Sequence, residues 1–536
     1  MKDTSQNSSM QKHSQYQHHT FVLKAFKNSQ LIKYPKLTEL YFNPTSHVYL
    51  DPRAFTKLCQ GLKSMKSLNV LYLNFSFSKE LDDKSLNELA LALRQLHGLT
   101  VLSLNFKQNS KITGAGIAKI MKAIKKNRFL SELYLDFSGC ERATYQHLES
   151  IYNSISTMKL LTNFHINHFE IPLRGLDEEE FADSLTQLRR LNYMRDLSMN
   201  FKIAQALMPK DLTALSQSLR RMRRLSKIDI NFSGSNNLSP ESYETFAQSL
   251  QNLKKLKKIH LNFSGVYLHS QKNIVFDIMK KVIENSLTIS DLSLNYGSIW
   301  EATSSQTQNL LIALQTLPNL SKLALNLSFL QKVDNKVLKY LAEGLTNHSN
   351  LASLKLSLME SLLIDGDGLA HLAPALGNLT SLKVFELALT KQIVKSGFPP
   401  FIEALSKLTN LSKLALNFSQ STDLGDQELK DLAHTFKSFN HLKSLELNLG
   451  FCLGITDAGF KELVSQIVTL SGLKMLNLNF FGCRNITAEG VESLKSQVVG
   501  LNHLKETTFN FPNAISSYGS TKEQPHQGDK STCSMF

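Results

Sequence analysis

The sequence repeats with a period of 31 residues over most of its length, and this period constrains the fold more than any other feature. A segment of the form LxxLxLNF returns sixteen times, as in LNVLYLNFS at 68–76 and LSKLALNFS at 411–419. The residue in its Asn position, which we call the Asn column, falls at 43, 74, 105, 136, 167, 200, 231, 262, 295, 326, 357, 388, 417, 448, 479 and 510. A chain of 536 residues would ordinarily suggest several domains. The period instead predicts one array.

Each repeat is predicted to hold one strand and one helix. Apolar residues alternate within the motif, which is typical of a short strand. Between motifs the spacing becomes helical, as at 85–96 and 244–256, and Ser239, Thr456 and Thr487 are candidate helix caps. We therefore predict an α/β solenoid of about sixteen strand–helix repeats of 31 residues, with a parallel sheet on the concave face.

The strand motif resembles that of leucine-rich repeat proteins, specifically the ribonuclease-inhibitor-like class with a full helix per repeat. The segments KITGAG (111–116), GITDAG (454–459) and NITAEG (485–490) are similar to the ITDxG of that class. The resemblance spans about residues 37–511 and implies a horseshoe-shaped scaffold that binds proteins. Here, however, the Asn follows the strand directly and the Cys lies five residues after the last strand Leu, so family rules for individual loop residues transfer poorly.

Three regions are predicted along the chain. Residues 1–36 form a polar leader, in which Phe21–Ile32 is a candidate cap for the first repeat. Residues 37–511 form the solenoid, and residues 512–536 form a polar, disordered tail. The tail ends in Cys533-Ser-Met-Phe, which fits the C-a-a-X prenylation pattern, and a terminal Phe favours geranylgeranyl addition. The alternative is a disordered tail with a free thiol.

Some columns of the repeat have structural explanations. Asn fills thirteen of the sixteen positions of the Asn column, and stacked amides could bond along the sheet or hold the next turn; a functional Asn stripe is the alternative. The following residue is often Phe, which predicts a buried aromatic spine. Cys140, Cys452 and Cys483 share one repeat position and are interpreted as small core residues.

Partner specificity is predicted at positions that the repeat leaves variable. The residues two before the Asn column should face the concave surface, because side chains alternate along a strand. Tyrosines in the first repeats would give rigid anchors, and a merely solvated face is the alternative. The concave-face candidates are Tyr41, Tyr72, Tyr134, His165, Asp229, His260, Glu386 and Glu446.

Positive charge is concentrated in residues 1–300, which hold 40 basic and 25 acidic residues, while the whole chain has a formal charge of +15. Clusters precede several strands and recur one period apart. They form what we call the basic rim: Lys125, Lys126, Arg128, Arg189, Arg190, Arg220, Arg221, Arg223, Arg224, Lys254, Lys255, Lys257 and Lys258. These cations either complement helix dipoles or bind an acidic protein, lipid headgroups or, least plausibly, nucleic acid.

The motifs of common enzymes are absent, so we predict no catalytic residue, metal or cofactor. Five Cys residues and a leader without an apolar stretch favour a cytoplasmic chain, free or peripheral on the cytoplasmic face of a membrane. The sequence thus predicts a monomeric, non-catalytic protein-interaction scaffold that binds through the concave face or basic rim. The alternatives are a GTPase-activating regulator of a small GTPase and a lipid-surface binding protein.

Overall fold

The computed structural model describes residues 20–23, 36–43, 52–143, 146–167, 178–202, 207–266, 274–391, 394–499, 501 and 503–511. They fall into two compact units, an N-terminal unit within Lys2–Leu268 and a C-terminal unit within His269–Phe536. The tail from residue 512 and most of the leader, including most of Phe21–Ile32, lie outside the described residues.

The N-terminal unit alternates strands and helices along the chain. Its strands are β1 Thr20–Leu23, β2 Glu39–Phe42, β3 Val70–Asn74, β4 Val101–Asn105, β5 Glu132–Asp136, β6 Asn163–Asn167, β7 Asp196–Asn200, β8 Lys227–Asn231 and β9 Lys258–Asn262. Its helices are α1 Pro52–Ser64, α2 Asp83–Leu93, α3 Gly114–Ile124, α4 Gln146–Ile155, α5 Glu178–Gln187, α6 Pro209–Leu219 and α7 Pro240–Gln251. Consecutive strands pair in parallel, and β1 adds a strand before the first copy of the motif.

The C-terminal unit follows the same plan. Its strands are β10 Asp291–Asn295, β11 Lys322–Asn326, β12 Ser353–Ser357, β13 Val384–Ala388, β14 Lys413–Asn417, β15 Ser444–Asn448, β16 Met475–Asn479 and β17 Glu506–Asn510. Its helices are α8 Ile274–Glu284, α9 Ser304–Ala313, α10 Lys336–Leu345, α11 Gly366–Gly377, α12 Phe398–Ser406, α13 Asp426–Thr435, α14 Asp457–Ile467 and α15 Ala488–Val499. Short 3-10 turns occur at Leu188–Arg190 in the N-terminal unit and at Leu314–Thr316, Lys395–Gly397 and Phe436–Ser438 in the C-terminal unit.

The register of the sheet confirms the repeat. Within each unit, residues of the Asn column on paired strands lie opposite one another, as Asn231 does with Asn262 and Asn417 with Asn448. Leucines and isoleucines of the motif point into the core against the helices and are buried, whereas in a strand such as β8 the alternate residues are partly exposed. The predicted α/β leucine-rich repeat fold, with parallel strands alternating with helices, is therefore confirmed within each unit.

The Asn column holds the turns together. Asn74 donates to Asn43 Oδ1 at 2.7 Å and Asn479 to Asn448 Oδ1 at 2.9 Å, so amides bond along the sheet. The same side chains accept the backbone N–H two residues on, as Asn231 Oδ1 does from Ser233 at 2.9 Å. Both arrangements expected of stacked amides are confirmed, and the column serves the structure.

In the described part of the chain, the turns after β3–β5 and β8–β16 have a left-handed residue three positions beyond the Asn column. In several of them its N–H donates to the next repeat, as from Phe77 to the Lys107 carbonyl at 2.8 Å. We call these residues the positive-φ column: Phe77, Gln108, Gly139, Gly234, Gly265, Ser298, Phe329, Glu360, Lys391, Gln420, Phe451 and Gly482. Glycine adopts this conformation without steric cost, whereas side chains bear strain there.

Phenylalanines after the Asn column stack from repeat to repeat. The rings of Phe75 and Phe106 lie 5.5 Å apart, those of Phe106 and Phe137 5.8 Å, and those of Phe232 and Phe263 5.7 Å. All of these rings are fully buried. The predicted aromatic spine is confirmed.

Several helices begin at an inter-repeat hydrogen bond. Thr456 caps α14, and its N–H and Oγ1 donate to Asp426 of the preceding helix at 2.7 and 2.6 Å. Thr487 makes the same pair of bonds to Asp457. A Cβ on Gly459 would lie 2.4 Å from the Asp426 carboxylate, so the Gly of the ITDxG motif leaves room for this acid.

Candidate partner-binding surfaces

The open face of each sheet consists of the Asn column and the residues two and four before it, whose side chains point away from the helices. In the N-terminal unit it begins with an aromatic row. The rings of Tyr41 and Tyr72 stack at 4.8 Å, Tyr72 lies 6.5 Å from Tyr134, and Tyr134 stacks on the His165 ring at 4.6 Å. The strands thus bring these four predicted residues together as one row.

The first two tyrosines are less accessible than the sequence suggested. Tyr41 is 7% exposed and Tyr72 9%, because each ring covers its neighbour, whereas Tyr134 and His165 are half-buried. Tyr134 donates to Glu132 at 2.9 Å, and burial, followed by the charge of Glu132, raises the pKa of its hydroxyl well above the usual value. The row is accordingly a fixed surface, and its most accessible part is at Tyr134 and His165.

Charged side chains continue the open face. His165 Nε2 lies 3.5 Å from Asp196 Oδ1, and Lys227 Nζ lies 3.5 Å from Asp196 Oδ2. Burial alone would raise the pKa of Asp196, but the neighbouring His165 and Lys227 hold it below the usual value. Asp229 and His260 form a separate pair at 3.6 Å. This stretch offers donors and acceptors at fixed spacing.

In the C-terminal unit two open-face acids, Glu386 and Glu446, are already paired. Lys413 contacts Glu386 at 3.0 Å and Glu446 at 2.8 Å, and Lys355 contacts Glu386 at 3.0 Å. The Glu386 side chain is only 6% exposed. Desolvation opposes the charge on Lys413, but its bonds to Glu446 and Glu386 raise its pKa. Glu386 therefore has a structural role in this network. The sequence could reveal that role only if adjacent strands were aligned with one another.

The basic rim lies in the segments that connect the C-terminal ends of helices to the next strands of the N-terminal unit. Its side chains are exposed throughout. Arg220 caps α6 and donates to Gln248 at 3.3 Å, and the Arg224 guanidinium lies 4.5 Å from the Tyr193 ring centroid. Lys258 is the first residue of β9. The structure thus gathers the rim residues along one edge, as the period predicted.

An apolar row that sequence reasoning missed accompanies the rim. Phe129, Leu160 and Tyr193 occupy one repeat position, seven before the Asn column, and are 61%, 50% and 45% exposed. Arg224 and Lys255 fill the same position in the next two repeats. The sequence does contain a signal for this row, because apolar residues recur at a repeat position whose side chain points away from the core.

The three cysteines at the shared repeat position are buried donors. Cys140, Cys452 and Cys483 donate S–H to carbonyls of the preceding repeat at 3.3, 3.3 and 3.1 Å. Burial raises the pKa of Cys140 and Cys452 to about 12 and that of Cys483 to about 11. Within the described chain no group of three or more His, Cys, Asp and Glu is arranged to hold a metal ion. Cys533 lies outside the described residues.

None of the helices in the described part of the chain has the length and apolar character needed to cross a bilayer.

No protein-family model and no curated protein matches this chain. Among solved structures it is similar to the leucine-rich repeat-containing protein LegL7 from Legionella pneumophila, at 15% identity and a TM-score of 0.33, over 61% of this chain and 95% of that one. A likeness at this level adds nothing to the fold evidence of the repeat geometry itself.

Proposed function

We propose that this chain is a non-catalytic protein-interaction scaffold whose contact surface is the open face of the N-terminal unit. The observation that carries the proposal is the aromatic row from Tyr41 to His165, stacked on a rigid parallel sheet. Aromatic anchors held in one conformation lose little entropy on binding and dominate many protein interfaces.

The neighbouring polar residues supply specificity. Asp229 and His260 are half-buried beside the row, and their donors and acceptors are fixed by the strands that carry them. Charged groups at set positions select partners by complementarity more than they add affinity. A protein segment with apolar and hydrogen-bonding groups along its length fits this surface.

Quantitative affinity capture from the native cell tests the proposal. We expect Tyr134→Ala combined with His165→Ala to reduce enrichment of the specific partner by about tenfold or more, because both side chains are accessible anchors. The matched control is Asn477→Ala with Thr508→Ala, which changes the same repeat position in the C-terminal unit. It should leave capture unchanged.

A second variant distinguishes a loss of binding from a loss of folding. Asp229→Lys reverses a half-exposed charge on the open face without touching the ring stack, and it should also weaken capture. Equal capture by wild type and both open-face variants, with all proteins showing the same thermal unfolding, would contradict the proposal. An equal loss of capture in the Asn477 and Thr508 control would also contradict the proposal.

We further propose that Cys533 carries a geranylgeranyl group that tethers the scaffold to a membrane, as its C-terminal sequence predicts. Intact mass of the protein purified from its native cell should show the added prenyl mass with loss of the three last residues and methylation of the new terminus. Cys533→Ser should abolish all three changes. An unmodified terminus in the native protein would remove this proposal and leave the scaffold proposal intact.

A further inference from the structure

Five consecutive loops of the N-terminal unit form an edge without acidic residues. They are residues 125–131, 156–162, 189–195, 220–226 and 251–257, which together hold fourteen Lys and Arg and no Asp or Glu. Backbone bonds lock them side by side: the Thr162 N–H donates to Ser131, Arg195 to Thr162, Ser226 to Arg195 and Lys257 to Ser226, at 2.7–2.8 Å. The cations are thus presented on a rigid edge.

Helix dipoles do not explain this charge. The equivalent loops of the C-terminal unit at 315–321 and 346–352 also follow helix ends, and they contain no Lys or Arg. The same fold therefore forms without cations at these positions. The loops at 377–383, 406–412, 437–443, 468–474 and 499–505 carry one or two Lys each, six in all, against fourteen Lys and Arg in the five N-terminal loops. A role in stability would apply to both units alike, so the excess in the N-terminal unit indicates a ligand.

The apolar row lies among these cations. Phe129, Leu160 and Tyr193 are each about half exposed, and each follows a polar or basic residue, Arg128, Lys159 or Asn192. Burying such side chains in contact with a partner is favourable, whereas leaving them in water is not. Aromatic and leucine side chains between Lys and Arg are typical of surfaces that enter the headgroup region of a bilayer.

We propose that the basic rim and the apolar row of the N-terminal unit bind an anionic bilayer surface. The Lys and Arg side chains contact lipid phosphates and carboxylates, and Phe129, Leu160 and Tyr193 insert at the level of the headgroups. A bilayer fits better than an acidic protein, because a diffuse negative plane matches a continuous cationic edge that carries no acid to fix the register of a peptide. This surface is separate from the open face.

Vesicle co-sedimentation of the unlipidated full-length chain tests the charge. Phosphatidylcholine vesicles containing phosphatidylserine should bind it, and pure phosphatidylcholine vesicles should not. Changing Arg220, Arg221, Arg223 and Arg224 together to Gln should reduce the partition coefficient at low salt by more than tenfold, since each near-surface cation contributes on the order of fivefold. The matched control changes four exposed lysines on the equivalent edge of the C-terminal unit to Gln: Lys383, Lys443, Lys474 and Lys505. It should retain binding.

Fluorescence tests the insertion. The chain has one Trp, and Trp300 is 60% exposed in the C-terminal unit. In a Trp300→Phe, Phe129→Trp chain the new Trp should shift to the blue with phosphatidylserine vesicles, because it leaves water.

Three results would overturn the proposal. These are no binding to phosphatidylserine vesicles at low salt, equal loss of binding in the lysine control, and an unshifted Trp at position 129. Binding of polyglutamate in place of vesicles, lost on changing the four arginines, would assign the edge to an acidic protein. The open-face variant Tyr134→Ala, His165→Ala should bind vesicles normally, so this inference and the scaffold proposal fail independently.

Discussion

At the scale of single residues, the described turns after twelve of the strands depend on one backbone conformation. Twelve described residues of the positive-φ column adopt it, four of them Gly and eight with side chains. The sequence shows Gly at only a third of these positions, so the pattern was visible only after the structure aligned them. Backbone bonds such as that from Phe77 to Lys107 hold the side-chain-bearing residues in place despite the strain.

Gly265 isolates the conformational cost of this turn. Its φ is +65°, and a Cβ built on it would meet no atom within 4 Å. We expect Gly265→Ala to lower the free energy of unfolding by about 1 kcal/mol, from backbone strain alone. Denaturant unfolding measures the change.

The control is Gly472→Ala. Gly472 lies outside the left-handed region, and an added Cβ would contact the Leu442 carbonyl at an ordinary 3.4 Å. That change should raise stability by about 0.5 kcal/mol through the unfolded chain. A shift of the same sign in both variants would refute the strain argument.

At the scale of elements, successive helices are joined by the Asp–Thr pairs. The sequence predicted Thr456 and Thr487 as caps, and the structure confirms both. The sequence did not predict their partners, Asp426 and Asp457, because each lies 30 residues before its Thr and accepts its bonds across the repeat boundary. A local sequence pattern can predict a helix cap, but it cannot predict these bonds, because they form only when successive repeats stack.

Asp426→Ala tests this connection. It removes the acceptor of two hydrogen bonds from Thr456, one of them from a backbone N–H. We expect the free energy of unfolding to fall by about 1–3 kcal/mol, because partly buried donors lose their partner. Denaturant titration followed by circular dichroism measures the loss.

Asp431→Ala, on the same helix, provides the comparison. Asp431 accepts only an exposed bond from Gln427 at 2.8 Å. The expected change is less than about 0.5 kcal/mol. Similar losses in the two variants would mean that the Asp426–Thr456 pair has no special role.

At the scale of the whole molecule, the period predicted the strand order, register and core within each unit, since every repeat packs its strand and helix against its neighbours in the same way. The interaction surfaces were harder to predict. The basic rim was visible as charge at a fixed spacing, but the burial of Tyr41 and Tyr72 depends on ring stacking between strands. Lys413 was not singled out either, because its role as a bridge between Glu386 and Glu446 exists only once three strands are adjacent.

The buried cysteine donors have a consequence for the reactivity of the intact protein. Alkylating reagents attack the thiolate, and burial raises the pKa of Cys59, Cys140 and Cys452 to about 12 and that of Cys483 to about 11. These four sulfurs are therefore protected in the folded chain at neutral pH. Rapid maleimide labelling of the native protein should therefore leave these four cysteines unmodified, and the same reaction in denaturant should label all of them. Labelling of any of the four without denaturant would report local opening of the repeat that carries it.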